Sequence, residues 1–179
     1  MKAIARNIII SLLIIIIITI PILGLYYGQR QRSDRVRCVL VRQNIDLLFS
    51  GLKCYKIAYG SIFKEGKQPP KEERLTDADY DQLMEHLICT GETNGGSDNI
   101  SQNSKNATFI EPPPWTPFQN GGGVYSDPWG NRYAIYLDVN NDGVIDLNGE
   151  KIKAACLIYS FGPNGKDNNG TMDDICSWR

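Results

Sequence analysis

Residues 7–27, NIIISLLIIIIITIPILGLYY, carry no charged side chain and are dominated by isoleucine. A helix of about 20 apolar residues spans a hydrocarbon core of about 30 Å, and residues 8–27 supply that length. A cleavable signal peptide has a shorter apolar run, roughly 7–15 residues, closed by a small-x-small site. This run closes instead on Pro-Ile-Leu-Gly-Leu-Tyr-Tyr, so the expectation is a retained single-pass anchor held by membrane lipid. Lys2 and Arg6 precede it; Arg30, Arg32, Arg35 and Arg37 follow it. A bare arginine count puts the following side in the cytoplasm, but long domains translocate largely regardless of charge. The short first flank and the large domain behind it favour the N-terminus inside and the globular domain outside. The four arginines then read as a collar against lipid headgroups.

The pattern beyond the arginines is helical. Val41, Ile45, Leu48, Leu52, Tyr55 and Tyr59 recur at steps of three and four, and Gly60 is a natural stop. No proline except Pro21 interrupts the chain from the span to this point, so one helix is expected over residues 8–59, roughly 78 Å long. Its first half would lie in lipid and its second would lay one stripe on a globular head. The organisation is then 1–29 as flank and transmembrane helix, 30–60 as its extramembrane continuation, and 61–179 as the head.

In the head, KQPPKEE marks a loop over 61–75. TDADYDQLMEHLICTG reads as a short helix, with Thr76 and Asp79 as a capping pair and Tyr80, Leu83, Met84, Leu87 and Ile88 as its apolar face. Residues 91–106 are too polar to bury, and EPPPWTPFQNGGG is an irregular connection pinned by Trp115 and Phe118. RYAIYLD then alternates, with Tyr133, Ile135 and Leu137 on one face, and KIKAACLIYSFG (151–162) is a second β-rich run. VNNDGVIDLNGE between them reads as the turn of one hairpin. The fold class is α+β: a long N-terminal helix packed on a small antiparallel sheet, with a polar C-terminal loop.

Six of the 19 basic residues and one of the 20 acidic ones precede Cys38, leaving 13 against 19 and a formal charge of −6 on the rest. No basic patch with interleaved aromatics occurs there, which argues against nucleic acid. Five cysteines without a CxxC leave a zinc site unsupported. Cys38 and Cys54 on one helix would sit about 24 Å apart and cannot bridge. The pairs left are Cys156–Cys176, the preferred one, and Cys54–Cys89, with buried reduced thiols as the alternative.

Two acidic loops carry what chemistry there is. DVNNDGVID presents Asp138, Asn140, Asp142 and Asp146 around Gly143, the opening of an EF-hand calcium loop. Position 12, where a bidentate glutamate belongs, is Gly149, and Glu150 comes one residue late. Two readings stand, a secondary calcium site or an Asx-rich turn that binds nothing. In SFGPNGKDNNGTMDDICSW, Ser160, Asn164, Asp167, Asn168, Asp173 and Asp174 offer many oxygens within one stretch, and calcium takes 6–8 of them. This is the primary candidate. His86, the single histidine, is expected at the surface of its helix. No nucleophile elbow, phosphate-binding glycine loop or HExxH is present, so the chain is not expected to be an enzyme.

SDPWGNRYAIYLD and SFGPNGKDNNGTMDDICSW together resemble the C-terminal half of the major pseudopilin of type II secretion. That family's pattern is Asp-Pro-Trp-Gly-Asn-x-Tyr, then Ser-x-Gly-x-Asp-Gly, a glycine-rich loop, and Asp-x-Asp-Ile or Asp-Asp-Ile with a tryptophan soon after. Asp127 to Asn131 with Tyr133, Ser160 to Gly165, Asp173 to Ile175 and Trp178 occupy those places. LFSGLKCYKIAYGSIF is similar to the end of the family's first helix, and the likeness covers residues 40–178, densest in 126–178. It implies a pilin-like fold with three or four antiparallel strands and a C-terminal loop ordered by Ca2+, with Asp173 and Asp174 as acidic ligands. Asn164 stands where the family often has aspartate. It also implies a structural subunit of a type II secretion or type IV pilus-like filament on the inner membrane, with a periplasmic head. Its partners would be other pseudopilin subunits and the inner-membrane secretion components. The family's Gly-Phe-Thr-Leu-x-Glu junction is missing from MKAIARNIIISLLIIII, so residues 2–6 are expected to stay on the chain. The alternative function is a membrane-tethered, monomeric calcium-binding module with no filament role.

Overall fold

The structure, a computed structural model, describes residues 33–69, 72–88, 100, 103–114 and 124–179. The apolar span 8–27, Cys89, most of the polar loop 91–106, Trp115 and Phe118 lie outside the described residues. Among the described residues no helix is long and apolar enough to cross a membrane. The chain divides into two compact units, Met1–Arg37 and Cys38–Arg179. In the first, residues 33–37 are helical and Arg37 lies 3.8 Å from Asp34, one turn back.

Helix α1 runs over residues 33–59, and from Cys38 on it belongs to the second unit. Its stripe packs as the periodicity requires: Val41, Ile45, Leu48, Leu52 and Tyr55 are all buried. Gly60 ends it in the left-handed region, φ 78°, returning its N–H to the Lys56 carbonyl at 2.8 Å. Only glycine takes that cap without strain. Gly51 has a different reason to be glycine. A Cβ there would lie 2.4 Å from Ile110 Cγ2, so the missing side chain lets residues 109–110 cross the helix.

Helix α2, Asp77–Ile88, starts on Thr76, whose Oγ1 accepts the Asp79 N–H at 3.2 Å and donates to Asp79 Oδ2 at 2.8 Å. Tyr80, Leu83, Met84 and Leu87 bury its apolar face. His86 is buried too, against expectation, with Nδ1 3.4 Å from the Tyr55 hydroxyl. The ring lies on the side of α2 that meets α1, a placement that one helix's periodicity does not define.

Strands β1 (Ala134–Leu137), β4 (Cys156–Ser160) and β5 (Ile175–Cys176) form an antiparallel sheet in the order β1-β4-β5. Tyr133, Ile135 and Leu137 share one face as the alternation demands, and with Cys156 and Ile158 they pack against the α1 stripe. The fold is α+β, a long helix on small antiparallel sheets. The expected single turn between the two β runs is instead a second hairpin, β2 (Val144–Leu147) with β3 (Glu150–Lys153). Asn148 and Gly149, at φ 54° and 89°, make its tight turn, which is the backbone such hairpins favour. The run 151–162 is accordingly two strands, broken at Ala154 and Ala155.

This hairpin explains why β4 is buried on both faces. Ile145 and Leu147 cover Leu157 on the side away from α1, with Trp178 beside them. Tyr159 and Cys176 form the neighbouring cluster on that side, again with Trp178. The expected Cys156–Cys176 disulfide is absent for the same reason, both thiols being free. Cys176 pairs with Tyr159, three residues from Cys156 along β4, and an odd step puts the two sulfurs on opposite faces.

A buried polar net ties the layers together. Asn44 of α1, 3% exposed, donates through Nδ2 to the Tyr133 hydroxyl at 2.8 Å and accepts from the Tyr125 hydroxyl at 2.7 Å. The Tyr80 hydroxyl of α2 donates to the Tyr125 carbonyl at 2.8 Å and accepts from the Tyr133 N–H at 3.4 Å.

Candidate functional site

The turn Asp127–Asn131 is built on one buried carboxylate. Asp127 Oδ1 accepts the N–H groups of Trp129 and Asn131 at 3.0 and 2.9 Å, and Oδ2 accepts the Ser160 hydroxyl at 2.6 Å. Gly130, at φ 91°, completes the turn. Asp127 therefore holds its own loop and clamps it to the end of β4. Ser160 Oγ also accepts the Gly162 N–H at 3.1 Å.

Beyond β4 the chain makes a 3₁₀ turn, Gly162–Asn164, and returns as β5. Side chains close the loop on its own backbone. Asp173 Oδ2 accepts the Asn164 N–H at 3.0 Å while Oδ1 meets Asn164 Nδ2. Asp174 Oδ2 accepts from Asn168 N at 3.1 Å and Gly170 N at 2.8 Å. Asp167 takes the Tyr159 hydroxyl at 2.9 Å and pairs with Arg74 at 3.1 Å. Two glycines let strands of the loop touch. A Cβ on Gly162 would fall 2.1 Å from the Asp173 carbonyl oxygen, and one on Gly170 2.5 Å from the Trp178 ring. Trp178 stands edge-on to Tyr159 at 5.8 Å and Ile175 is buried, so the loop docks on the sheet.

The resemblance puts a calcium ion among Ser160, Asn164, Asp173 and Asp174. Asp174 is the member of that set that fits one: its Oδ1 is buried without a hydrogen-bond partner. Burial pushes its carboxyl above the usual range, the Gly170 and Asn168 amides opposing, and the charges of Asp167 and Asp173 add to the rise. Asn164 and Asp173 are brought together, but on each other. Ser160 is bonded to Asp127.

The loop after β1 is arranged differently. Asp138 is 7% exposed; its Oδ2 accepts the Gly143 N–H at 2.9 Å and its Oδ1 is buried with no partner. Asp142 Oδ1 accepts Val144 N at 2.8 Å, and Asn140 Oδ1 accepts Asp142 N at 2.8 Å. Asp146 is taken out of this set: it lies in β2 and its Oδ1 accepts the Gly149 N–H at 2.6 Å, serving the hairpin turn. Into its place comes Glu72, which sequence reasoning missed. Carboxylate oxygens of Glu72, Asp138 and Asp142 all lie within 4.8 Å of one another. Glu72 reaches them because its segment runs along β1, with Leu75 N bonded to the Ile135 carbonyl at 2.9 Å and Arg74 bridged to Tyr136. No local signal in KQPPKEE distinguishes it from Glu73.

No family model, curated protein or solved structure matches this chain.

Proposed function

We propose that the chain is a pilin-like structural subunit of a type II secretion or type IV pilus-like filament. In this reading residues 8–27 anchor it in the inner membrane, N-terminus inside, and the head stands outside. Other pseudopilin subunits and the inner-membrane secretion components are its partners, and Ca2+ stabilises the head, with Asp174 the residue of the C-terminal loop suited to meet it. The observation that carries this reading is the second face of α1. While one stripe is buried, Val39, Leu47, Phe49 and Ile57 remain 56%, 39%, 38% and 75% exposed. Val39 and Ile57 are five full turns apart and so share the azimuth opposite the core, with Leu47 and Phe49 on its two flanks. A neighbouring subunit would cover apolar side chains that a monomer leaves in water.

Cys54 lies exposed on the same side of α1 and gives the test. In native membranes, with Cys38 and Cys89 changed to serine, a bifunctional maleimide should join neighbouring subunits through Cys54 as a dimer at twice 20.1 kDa. Ile57→Asp should remove the cross-linked dimer while leaving the helical circular dichroism intact. A monomer band alone, at native expression together with the secretion components, would replace this reading with the tethered monomeric module.

A further inference from the structure

We propose that Glu72, Asp138 and Asp142 bind one calcium ion, Glu72 supplying across the fold the carboxylate that the loop lacks at Gly149. Two independent observations converge. The first is the juxtaposition, three carboxylates within 4.8 Å contributed by two separate stretches of chain. The second is the unpartnered Oδ1 of Asp138, a side chain more than nine-tenths buried. Asp138 borders a cavity of about 400 Å³ lined by Leu52, Phe63, Leu137 and Cys156 together with Lys53 and Lys56. A buried carboxylate oxygen without a hydrogen-bond partner calls for a cation or a donor.

The Lys56 ammonium reaches this loop but is bonded elsewhere. Lys56 Nζ donates to Asn141 Oδ1 at 2.7 Å, the neighbour in sequence rather than a carboxylate of the three. The backbone is already curled as an ion would require: Gly143 turns at φ 78° and returns its N–H to Asp138 Oδ2, leaving Oδ1 for a ligand. All donors are hard oxygens, with no imidazole or thiolate, which selects calcium or magnesium over transition metals. Oxygens drawn from an irregular loop and a remote glutamate suit the flexible 6–8-fold shell of calcium better than the octahedron of magnesium. Asn140 and backbone carbonyls of the loop are at hand to enlarge the shell. The ion would fasten the segment beside β1 to the loop leaving it.

The proposal stands whether or not the chain forms filaments. Its test is a calcium titration of the full chain in detergent by calorimetry, over about 10⁻⁵ to 10⁻² M, bracketing extracellular calcium modules. Glu72→Gln and Asp142→Asn should each weaken the site at least about tenfold, since affinity follows ligand charge. Asp146→Asn should not change it. Glu72 is only half-buried, so Glu72→Gln is expected to fold. In chelator Glu72→Gln should melt higher than the unmutated chain, one repelling charge having gone, and with calcium it should lose most of the rise in Tm. That reversal of sign separates a ligand from a merely structural residue. Unchanged affinity in Glu72→Gln, no calcium binding at all, or a calcium response removed by Asp174→Asn but not by Glu72→Gln overturns the proposal. Magnesium giving the same curve at equal concentration overturns the choice of calcium.

Discussion

Replacing Asn44 by leucine tests how the layers are joined. Asn44 is as buried as the leucines around it, and the substitution nearly conserves its shape while removing both of its bonds to tyrosine hydroxyls. A buried polar group that loses its partner costs about 1–3 kcal/mol, so two such losses cost about 2–6 kcal/mol. Burying leucine returns about 1.5–3 kcal/mol. The central expectation is a net loss of about 2 kcal/mol, or roughly 4–8 °C in Tm for a chain of this size. The decisive comparison is the same substitution in a Tyr125→Phe/Tyr133→Phe background. There no hydroxyl is left to strand, and the bonds of Tyr80 survive because they go to the backbone of residues 125 and 133. Asn44→Leu should then be neutral or stabilising. Thermal melts followed by circular dichroism on the four detergent-solubilised chains give the coupling. A cost that agrees to within about 0.5 kcal/mol in both backgrounds would show that the net contributes no coupling and would refute the reasoning.

Burial raises the phenols of Tyr80, Tyr125 and Tyr133 above their ordinary value, so the folded chain keeps protons that the unfolded chain gives up from about pH 10. Stability is whole below that pH and falls above it by about 1.4 kcal/mol per pH unit per tyrosine, about 4 for the three, so phenolate absorbance should jump together with loss of helical signal between about pH 11 and 13. Gradual ionisation near pH 10 with the helix intact would contradict this. Gly51→Ala gains about 1 kcal/mol of helix propensity but drives a Cβ into Ile110 at a typical overpacking cost of about 2 kcal/mol, so it should lower stability by about 1 kcal/mol net, and Ile110→Ala should abolish that penalty. Cys54 should alkylate readily in the native chain. Cys156 and Cys176 should react only on unfolding, both being buried, with desolvation pushing their thiols up to about 12 and about 11; rapid native labelling of either would be the contrary result, read by site-resolved mass spectrometry.

Much of the scaffold was legible from residues alone. The step of three and four in Val41 to Tyr55, the Thr76 start of α2, the stop at Gly60 and the alternation of Tyr133, Ile135 and Leu137 all describe how one segment presents an apolar face. Each is a local property, since a side chain's direction follows from the period of its own element. Asn148-Gly149 carries a tight-turn signal as well, but reading the whole stretch as one turn passes over it and so misses the extra hairpin.

What escaped the sequence lies between elements. Asn44 looks like any polar residue of an amphipathic helix until two tyrosines from other parts of the chain aim their hydroxyls at it. Cys156 and Cys176 invite a bridge until strand pairing puts an odd step between them. The EF-hand-like opening marked Asp138, Asp142 and Asp146 together, yet Asp146 serves the hairpin turn and Glu72 comes beside the other two from a distant loop. Sequence alone determined which faces had to be buried and where the backbone had to turn, because these follow from local periodicity and allowed dihedrals. Tertiary structure alone decided which polar groups meet, because a hydrogen bond or a shared ion depends on ångström distances between residues that the chain order leaves far apart.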